Sequence, residues 1–221
     1  MSNGFARPAA QARSIKTRQK LMDALEDLLR EKDFDSISVP DLARRAGVAV
    51  GTVYRRFENK DALVPLLFEL WKSRSEQQYQ AASIDPATLA AAELRPLLRT
   101  QMRAAYAFIR DQAHILRAVH LKGRLAPALI GEDWKALWKE ALSGNRAFLE
   151  RVRDQIARPD LDRAAEMMIY IANTALVEKA LFGEDGPGYV VSAEGDAFAD
   201  EIADIVYGYL VLAGQPPGET S

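Results

Sequence analysis

The sequence predicts an all-α protein with a small N-terminal helical domain and a larger C-terminal helical domain. Long stretches carry apolar residues at helical spacing, and no stretch alternates as a half-buried strand would. Residues 38–63 also read as two short helices joined by a sharp turn. Residues 1–60 hold twelve Lys and Arg against eight Asp and Glu, whereas the remainder holds 17 against 23. A basic head on an acidic remainder suits a phosphate-binding module, although a surplus this small also fits an ordinary solvated surface.

Composition narrows the class of protein further. The chain has 221 residues, 48% of them hydrophobic, and a net charge of −2, which suits one or two compact domains. It has no cysteine, so a disulfide framework and a thiolate metal site are excluded. The N-terminus lacks an apolar segment of signal-peptide length, and no apolar run approaches the length of a bilayer span. We therefore expect a cytoplasmic protein with no membrane partner.

The first domain opens with residues 1–13, which contain Gly4, Pro8 and scattered cations and which we predict to be a flexible basic arm. A helix is predicted from Ser14 to about Lys32. The expected core of the three-helix domain, residues 14–60, consists of Leu21, Leu25, Leu28, Phe34, Leu42, Val53 and Phe57.

The signature of the domain begins at Ser38. Ser38 and Asp41 have the spacing of a capping box, so a helix is expected to open at Val39, and Gly47 provides a left-handed stop. A second helix is predicted from Val50, with Val53 and Phe57 inside and mostly hydroxyls and cations outside. Such a helix has the dimensions to enter a DNA major groove. The same pattern also fits an ordinary helical hairpin with a solvated basic face.

This stretch resembles the DNA-binding signature of the TetR family of bacterial repressors. The residues that match are Ser38, Leu42-Ala43, Ala46-Gly47-Val48, Gly51-Thr52-Val53-Tyr54, Phe57, Lys60 and Leu63. The resemblance covers about the first 65 residues and is only architectural beyond them. It implies DNA binding and a ligand cavity in the C-terminal domain, and it does not name the ligand.

Two positions depart from the family pattern. Ala49 stands where Ser is common, so the second helix lacks a side-chain cap, and Val50 stands where a polar residue is frequent. Val50 favours an apolar contact, such as one to a thymine methyl group. We expect phosphate contacts from Ser38, Tyr54 and Lys60 and base or phosphate contacts from Arg45, Thr52 and Arg55. The full set of candidate DNA-binding residues is Ser38, Arg45, Val50, Gly51, Thr52, Tyr54, Arg55, Arg56 and Lys60.

The rest of the chain is predicted to be helical throughout. Residues 61–82 read as one connecting helix with Pro65 near its first turn, and residues 83–86 break the pattern. Residues 83–213 form the predicted ligand-binding and dimerisation domain, followed by a disordered tail at 214–221. Helices are expected at 94–110, 112–121, 133–157, 160–182 and 197–213.

The last two helices carry unusually wide apolar faces. A helix with one solvent-exposed face would be more amphipathic, so these faces suit burial against both the domain core and a second subunit. Central helices of a monomer would look the same. The candidate interface residues are Met168, Ala172, Ala175, Ile202, Ile205 and Tyr209.

Motifs for catalysis or for binding cofactors and metals are missing from the sequence. His114 and His120 are six residues apart and cannot share a helix face as metal ligands, and no phosphate-binding loop or nucleophile motif occurs. Polar and aromatic residues set among apolar ones could line a ligand cavity, although most such residues are packing or surface residues. The candidates are Arg103, Tyr106, His120, Trp134, Trp138, Tyr170, Asn173 and Thr174.

The resulting hypothesis is a ligand-responsive regulator, most simply a repressor. It would bind palindromic double-stranded DNA as a homodimer without a cofactor, and an unknown small-molecule effector would release it. A helical interaction protein that keeps the first domain as a scaffold, or an enzyme in the second domain, are the alternatives.

Overall fold

The computed structural model describes residues 6–81 and 92–212, and these residues form helices and turns with no β-strand among them. The predicted all-α class is therefore confirmed. The helices are α1 Ala6–Glu31, α2 Val39–Ala46, α3 Val50–Tyr54, α4 Val64–Ala81, α5 Leu94–Asp111, α6 Ala113–Leu125, α7 Gly131–Arg151, α8 Leu161–Phe182 and α9 Gly195–Val211. Within these described ranges, no helix is long and apolar enough to cross a membrane.

The chain divides into two compact units, and the division does not follow the sequence in a single step. The first unit contains the chain as far as Arg74 together with His114–Gly131, and the second contains Ser75–Ala113 and the chain from Glu132 onward. Helix α6 therefore belongs with the N-terminal domain. This corrects the predicted division, which placed all of residues 83–213 in one domain.

The three-helix core of the first unit forms as the sequence predicts. Six of the seven expected residues are buried, and only Phe57 is half-buried. The capping box at the start of α2 is complete, because the Ser38 hydroxyl accepts from the Asp41 amide and the Asp41 carboxylate accepts from the Ser38 amide. Gly47 ends α2 with φ at 65°, in the left-handed region where a glycine has no steric penalty.

Helix α6 is attached to α1 and α4 by a buried carboxylate. Glu26 is only 7% exposed. Its oxygens accept from Arg74 at 2.9 and 3.0 Å, and one of them lies 3.2 Å from His114 Nε2. Burial by itself raises the pKa of Glu26, but the bonds from Arg74 and His114 outweigh it and hold the pKa below its usual value. The carboxylate is thus charged at neutral pH and joins three helices.

A second ionic cluster joins the end of α6 to the turn between α1 and α2. Lys122 Nζ lies 2.5 Å from the Asp35 carboxylate and 3.6 Å from that of Asp61. The Lys60 and Lys122 ammonium groups lie 4.9 and 5.6 Å from the centre of the Phe34 ring. Two cations on one buried ring fix the turn in place.

The second unit is built on α5, α8 and α9, which pack on one another. Arginines spaced four residues apart on α5 face aspartates spaced four apart on α9. Arg95 and Arg99 both hold the Asp204 carboxylate, at 2.7 and 2.6 Å, and Arg103 holds Asp200 at 2.5 Å. These bonds keep the pKa of Asp204 well below its usual range.

Several predicted boundaries need correction. Residues 6–13 of the predicted flexible arm are the first turns of α1, because the helix begins at Ala6 rather than Ser14. The predicted helix 61–82 opens as a 3-10 turn, Lys60–Leu63, and becomes α-helical at Val64. Residues 1–5, the predicted break at 83–86 and the predicted tail at 214–221 lie outside the described residues.

The charge on Glu26 should contribute to stability only where it is ionised. Glu26→Gln should lower the free energy of unfolding at pH 7 by about 1.5–3 kcal/mol, the cost of lost bonds to a charged group. Because the folded pKa is depressed, this contribution should shrink as pH falls below the usual glutamate value of about 4.3. Thermal and denaturant unfolding, followed by circular dichroism between pH 7 and pH 3, measures the difference.

The exposed Glu58→Gln is the matched control, and it should unfold like the wild type at every pH. A stability difference for Glu26→Gln that did not change with pH would contradict the assignment of a buried charge.

Candidate nucleic-acid interface

The α2–turn–α3 segment presents the short helix α3 on the surface of the first unit. Val53 is buried at 2% exposure and fixes the inner side of α3. The turn is closed because the Val48 amide donates to the Ala43 carbonyl at 2.9 Å, and the Thr52 amide donates to the Ala49 carbonyl at 2.8 Å. Helix α3 has no side-chain cap at Ala49, as the sequence predicts.

The outer side of α3 combines apolar, hydroxyl and cationic groups. Val50 is 38% and Tyr54 is 55% exposed. Gly51 is also exposed, and no atom outside its own helix lies within 4 Å of the position that a Cβ atom would take there. Arg55 is exposed and donates to the Thr52 hydroxyl at 3.1 Å, which orients its guanidinium along the same face. Arg56 is exposed and donates to the Ser14 hydroxyl of α1 at 2.9 Å. The structure thus brings six of the predicted DNA-binding residues together on and beside one short helix.

Helix α2 supplies two further arginines. Arg45, a predicted site residue, donates to both Glu31 carboxylate oxygens at 2.8 and 2.9 Å. Arg44 is the more exposed, with 76% of its side-chain surface open and a bond of 3.2 Å to Asp41. The sequence analysis did not select Arg44, although its position next to Arg45 at the end of α2 was a signal that could have found it.

The structure gives Lys60 a different task from the predicted phosphate contact. Its ammonium donates to the carbonyls of Phe34, Asp35 and Ile37 at 2.9–3.0 Å. An ammonium has three protons, so these bonds use all of its donors. Burial lowers the pKa of Lys60, and the positive charge of Lys122 adds to this effect. Lys60 therefore holds the turn after α1, and the predicted phosphate contact would require it to exchange one of these bonds.

Ser38 is also occupied within its own capping box. Its hydroxyl donates to the Asp41 carboxylate at 2.7 Å while it accepts from the Asp41 amide. The bonds from Ser38 and Lys32 hold the pKa of Asp41 well below its usual range. The exposed hydroxyl would have to exchange this donor bond for one to a phosphate.

The eight predicted ligand-binding residues have different surroundings in the structure. Arg103 is held by Asp200 on the surface, and Tyr106 is buried against Phe198, with ring centres 5.2 Å apart. His120 lies in the first unit, whereas the other seven lie in the second. Burial lowers the pKa of His120 and raises that of Tyr106.

The remaining five candidates lie on α7 and α8. Trp134 and Trp138 are half-buried and meet edge to face, with ring centres 5.9 Å apart. Tyr170 and Thr174 are exposed and Asn173 is half-exposed. Helical spacing did not reveal which neighbour each of these side chains has, and the predicted cavity stays a prediction.

A surface cleft of about 390 Å³ does occur elsewhere in the second unit. It lies at the start of α5, and none of the predicted cavity residues borders it. Its lining consists of Glu93, Leu94, Arg95, Pro96, Arg99, Gln155 and Tyr207. Within the described residues, His, Asp and Glu side chains nowhere form a group of three that could hold a metal ion.

The predicted dimer residues separate into two sets. Met168, Ala172 and Ile202 are 3%, 9% and 6% exposed, because they pack inside the second unit. They cannot offer much area to a partner, which corrects that part of the prediction. Ala175 and Tyr209 are half-buried, and Ile205 is 54% exposed.

Comparisons with known proteins point to one family. The family described as bacterial regulatory proteins, tetR family, matches residues 21–67, which span α1 to α4. The transcriptional regulator YvdT of Bacillus subtilis is 37% identical over 51 residues, or 23% of this chain and 26% of that protein. The chain thus matches about a quarter of the length of YvdT.

Similarity to other proteins extends over more of the chain. The transcriptional regulator EthR of Mycobacterium tuberculosis is 24% identical over 177 residues, which are 80% of this chain and 77% of that protein. A crystal structure of a TetR-family regulator from Mesorhizobium loti aligns with a TM-score of 0.60 at 20% identity and covers 89% of this chain and 96% of its own. At this identity the alignment supports the fold alone. The curated relatives are transcriptional regulators and not enzymes.

The structural role of Lys60 can be tested by comparison with Arg55, for which we predict a DNA contact. Lys60→Met should destabilise the first unit by about 1–3 kcal/mol, because buried carbonyls lose their donor. It should change the salt dependence of DNA binding little in protein that remains folded. Arg55→Ala should leave the unfolding temperature within the range of ordinary surface changes and flatten the salt dependence by about one unit.

Thermal unfolding and fluorescence anisotropy at several salt concentrations provide the two readings. If Lys60→Met flattened the salt dependence as much as Arg55→Ala while its stability was unchanged, the structural role of Lys60 would be refuted.

Proposed function

We propose that this chain, which belongs to the TetR family of bacterial helix-turn-helix transcriptional regulators, represses transcription by binding a palindromic operator as a homodimer. A small-molecule effector releases it from DNA. The observation that carries the proposal is the exposed face of α3, where apolar, hydroxyl and cationic groups lie around a bare glycine. A DNA-binding repressor acts where the chromosome is, so we place its function in the cytoplasm.

Gly51 is the residue of this face that the fold itself does not require. It is not one of the glycines with positive φ, which among the described residues are Gly47 and Gly195, and a Cβ atom added to it would meet nothing within 4 Å. Glycine in a helix costs about 0.5–1 kcal/mol relative to alanine. A residue that weakens the helix and fills no space in the protein suits a surface that another molecule approaches closely. We infer that this molecule is DNA in the major groove.

The residues around Gly51 divide into two kinds of contact. Thr52 lies along the face that would meet base edges, and Val50 offers methyl groups to a thymine. Arg55 on the same face is suited to either a base edge or a phosphate. Tyr54, Arg56 and Arg44 are long exposed side chains suited to phosphates, which fix the register of the protein without reading sequence. Arg45 can join them only by exchanging its bond to Glu31, so its contribution to affinity would be smaller.

The homodimer is proposed from apolar surface that α8 and α9 leave open. Tyr170 on α8 is 66% exposed, Ile205 within α9 is 54% exposed, and Leu212 directly after α9 is 64% exposed. We infer that these side chains belong to one contiguous apolar surface, since a large exposed apolar patch marks an interaction site. A two-fold axis through this surface would give two copies of α3, as a palindromic operator requires.

Effector control is proposed for the second unit, since the first carries the DNA-binding face. An effector can lower DNA affinity only if it binds better to an arrangement of the two copies of α3 that does not fit the operator. The Trp134–Trp138 pair provides a fluorescence signal for binding. Compounds that quench this signal without changing operator affinity would count against the proposal.

The test of DNA recognition is Gly51→Ala. We expect operator affinity to fall roughly tenfold or more, since losing one good contact costs about 1–3 kcal/mol. Stability should not fall, because alanine in a helix with free space around it is favourable by about 0.4–1 kcal/mol. The operator is first obtained by selecting bound sequences from random duplex DNA, and affinity is then measured by anisotropy.

Gly144→Ala in α7 is the matched control, since its Cβ atom would also meet nothing within 4 Å. It should raise stability by a similar amount and leave operator affinity unchanged. Equal operator affinity for Gly51→Ala and the wild type would mean that DNA does not approach α3 closely.

The test of the homodimer is Ile205→Glu. Burying an unpaired carboxylate in the interface should dissociate the dimer and weaken operator binding, because both half-sites must be held together. Analytical ultracentrifugation at micromolar concentration measures the change. Leu125→Glu on α6 is the control, since this side chain is 77% exposed in the first unit, and it should remain dimeric. A wild type that sediments as a monomer would end the proposal of a dimer.

A further inference from the structure

The cleft at the start of α5 is built by three segments of the second unit that hydrogen bonds tie together. Gln155, in the turn after α7, accepts from the Leu94 amide at 2.7 Å and donates to the Ala92 carbonyl at 3.0 Å. The Ala157 amide donates to the Leu210 carbonyl of α9 at 3.0 Å. Walls fixed in this way exist before any ligand arrives, so binding does not have to order them first.

Two guanidinium groups on the wall of this cleft share one carboxylate. Arg95 and Arg99 each donate to Asp204 through Nε and Nη2, at distances of 2.6–3.1 Å. A guanidinium has five N–H groups, and within the described residues the Nη1 group of neither arginine has a hydrogen-bond partner. The arginine side chains are 52% and 37% exposed, so these donors are open to a ligand. They match a second carboxylate.

The same cleft also carries a carboxylate of its own. Glu93 lines the cleft and is exposed, and its side chain does not cap α5. No residue in the described ranges forms an ion pair with it. With Asp204 counted, two positive and two negative charges surround the cleft and cancel. A zwitterion is complementary to such a site at both of its ends, whereas an ion of one sign is complementary to only half of it.

An apolar wall completes the cleft. Leu94, Pro96 and Tyr207 belong to its lining, and the Arg95 guanidinium lies 5.9 Å from the centre of the Tyr207 ring. Aromatic rings pack favourably on one another, so Tyr207 favours a ligand with a ring. The volume of about 390 Å³ lies near the lower end of the range for small-molecule sites, about 300–1,000 Å³, which indicates a small ligand.

We propose that this cleft binds an α-amino acid with an aromatic side chain. The Nη1 groups of Arg95 and Arg99 donate to its carboxylate, the Glu93 carboxylate accepts from its ammonium, and its ring lies against Tyr207. The ligand joins α5 to α9 and leaves the bonds to Asp204 in place. This site goes beyond the proposed function. It is tested by ligand binding alone, so the result does not depend on whether the chain binds an operator.

The experiment measures binding of four compounds to the full chain by isothermal titration calorimetry. L-phenylalanine is compared with three analogues that each lack one group: 3-phenylpropanoate lacks the ammonium, 2-phenylethylamine the carboxylate and L-alanine the ring. We expect L-phenylalanine to bind roughly tenfold or more tightly than each analogue, since every group has its own partner. Equal affinity for L-phenylalanine and any analogue, or a dissociation constant above about 10 mM for L-phenylalanine, would overturn the proposal.

Substitutions separate the two charged ends of the site. Arg99→Gln should weaken L-phenylalanine and 3-phenylpropanoate roughly tenfold or more, because both compounds use the arginine pair. Glu93→Gln should weaken L-phenylalanine to the level of 3-phenylpropanoate. The affinity for 3-phenylpropanoate itself should not fall, because a negative charge has been removed from beside an anion. Glu93 is exposed and holds no other group, so this variant should fold as the wild type does. An equal loss for both compounds would contradict the ammonium contact.

Arg103→Gln is the matched control for Arg99→Gln. Arg103 is the next arginine along α5 and holds Asp200 as Arg99 holds Asp204, but it does not line the cleft. Both variants lose a pair between α5 and α9, so their unfolding temperatures should fall by similar amounts. Only Arg99→Gln should lose affinity for L-phenylalanine. If the two variants lost affinity equally, the cause would be helix packing, and the proposed site would be refuted.

Discussion

The carboxylate of Glu26 is the group on which the organisation of the first unit depends. A buried charge is tolerated only while its partners remain in place, and here Arg74 and His114 come from two other helices. Arg74 belongs to the end of α4 that lies in this unit, and His114 stands 88 residues away on α6. The DNA-binding face is therefore carried by a structure that includes a helix from much later in the chain.

Lys60 and Lys122 both stabilise the turn between α1 and α2. The turn between α1 and α2 is short and leaves three carbonyls in need of donors, which the Lys60 ammonium provides. Lys122 then neutralises Asp35 on the same turn. Cations that would serve as phosphate ligands in another context are used here to fix the geometry of α2 and α3.

The sequence predicted those features whose causes lie within a few residues. The capping box at Ser38 and the left-handed Gly47 depend only on local geometry, and the structure confirms both. The hydrogen bonds of Lys60 and Arg103 are made to partners 26 and 97 residues away, and no local sequence pattern predicts such partners. The wide apolar stripes of α8 and α9 predicted two buried faces, but periodicity could not tell that Met168 and Ile202 point into the unit.

The discontinuous first unit has a consequence for engineering chimeric regulators. Joining only residues 1–74 to the sensing part of another regulator would leave Glu26 without His114 and Asp35 without Lys122. The transplanted portion would then keep the Glu26 carboxylate without its hydrogen bond to His114 and the Asp35 carboxylate without its ion pair to Lys122. A functional graft has to carry residues 114–131 as a second insert, or recreate a histidine and a lysine at equivalent places in the recipient.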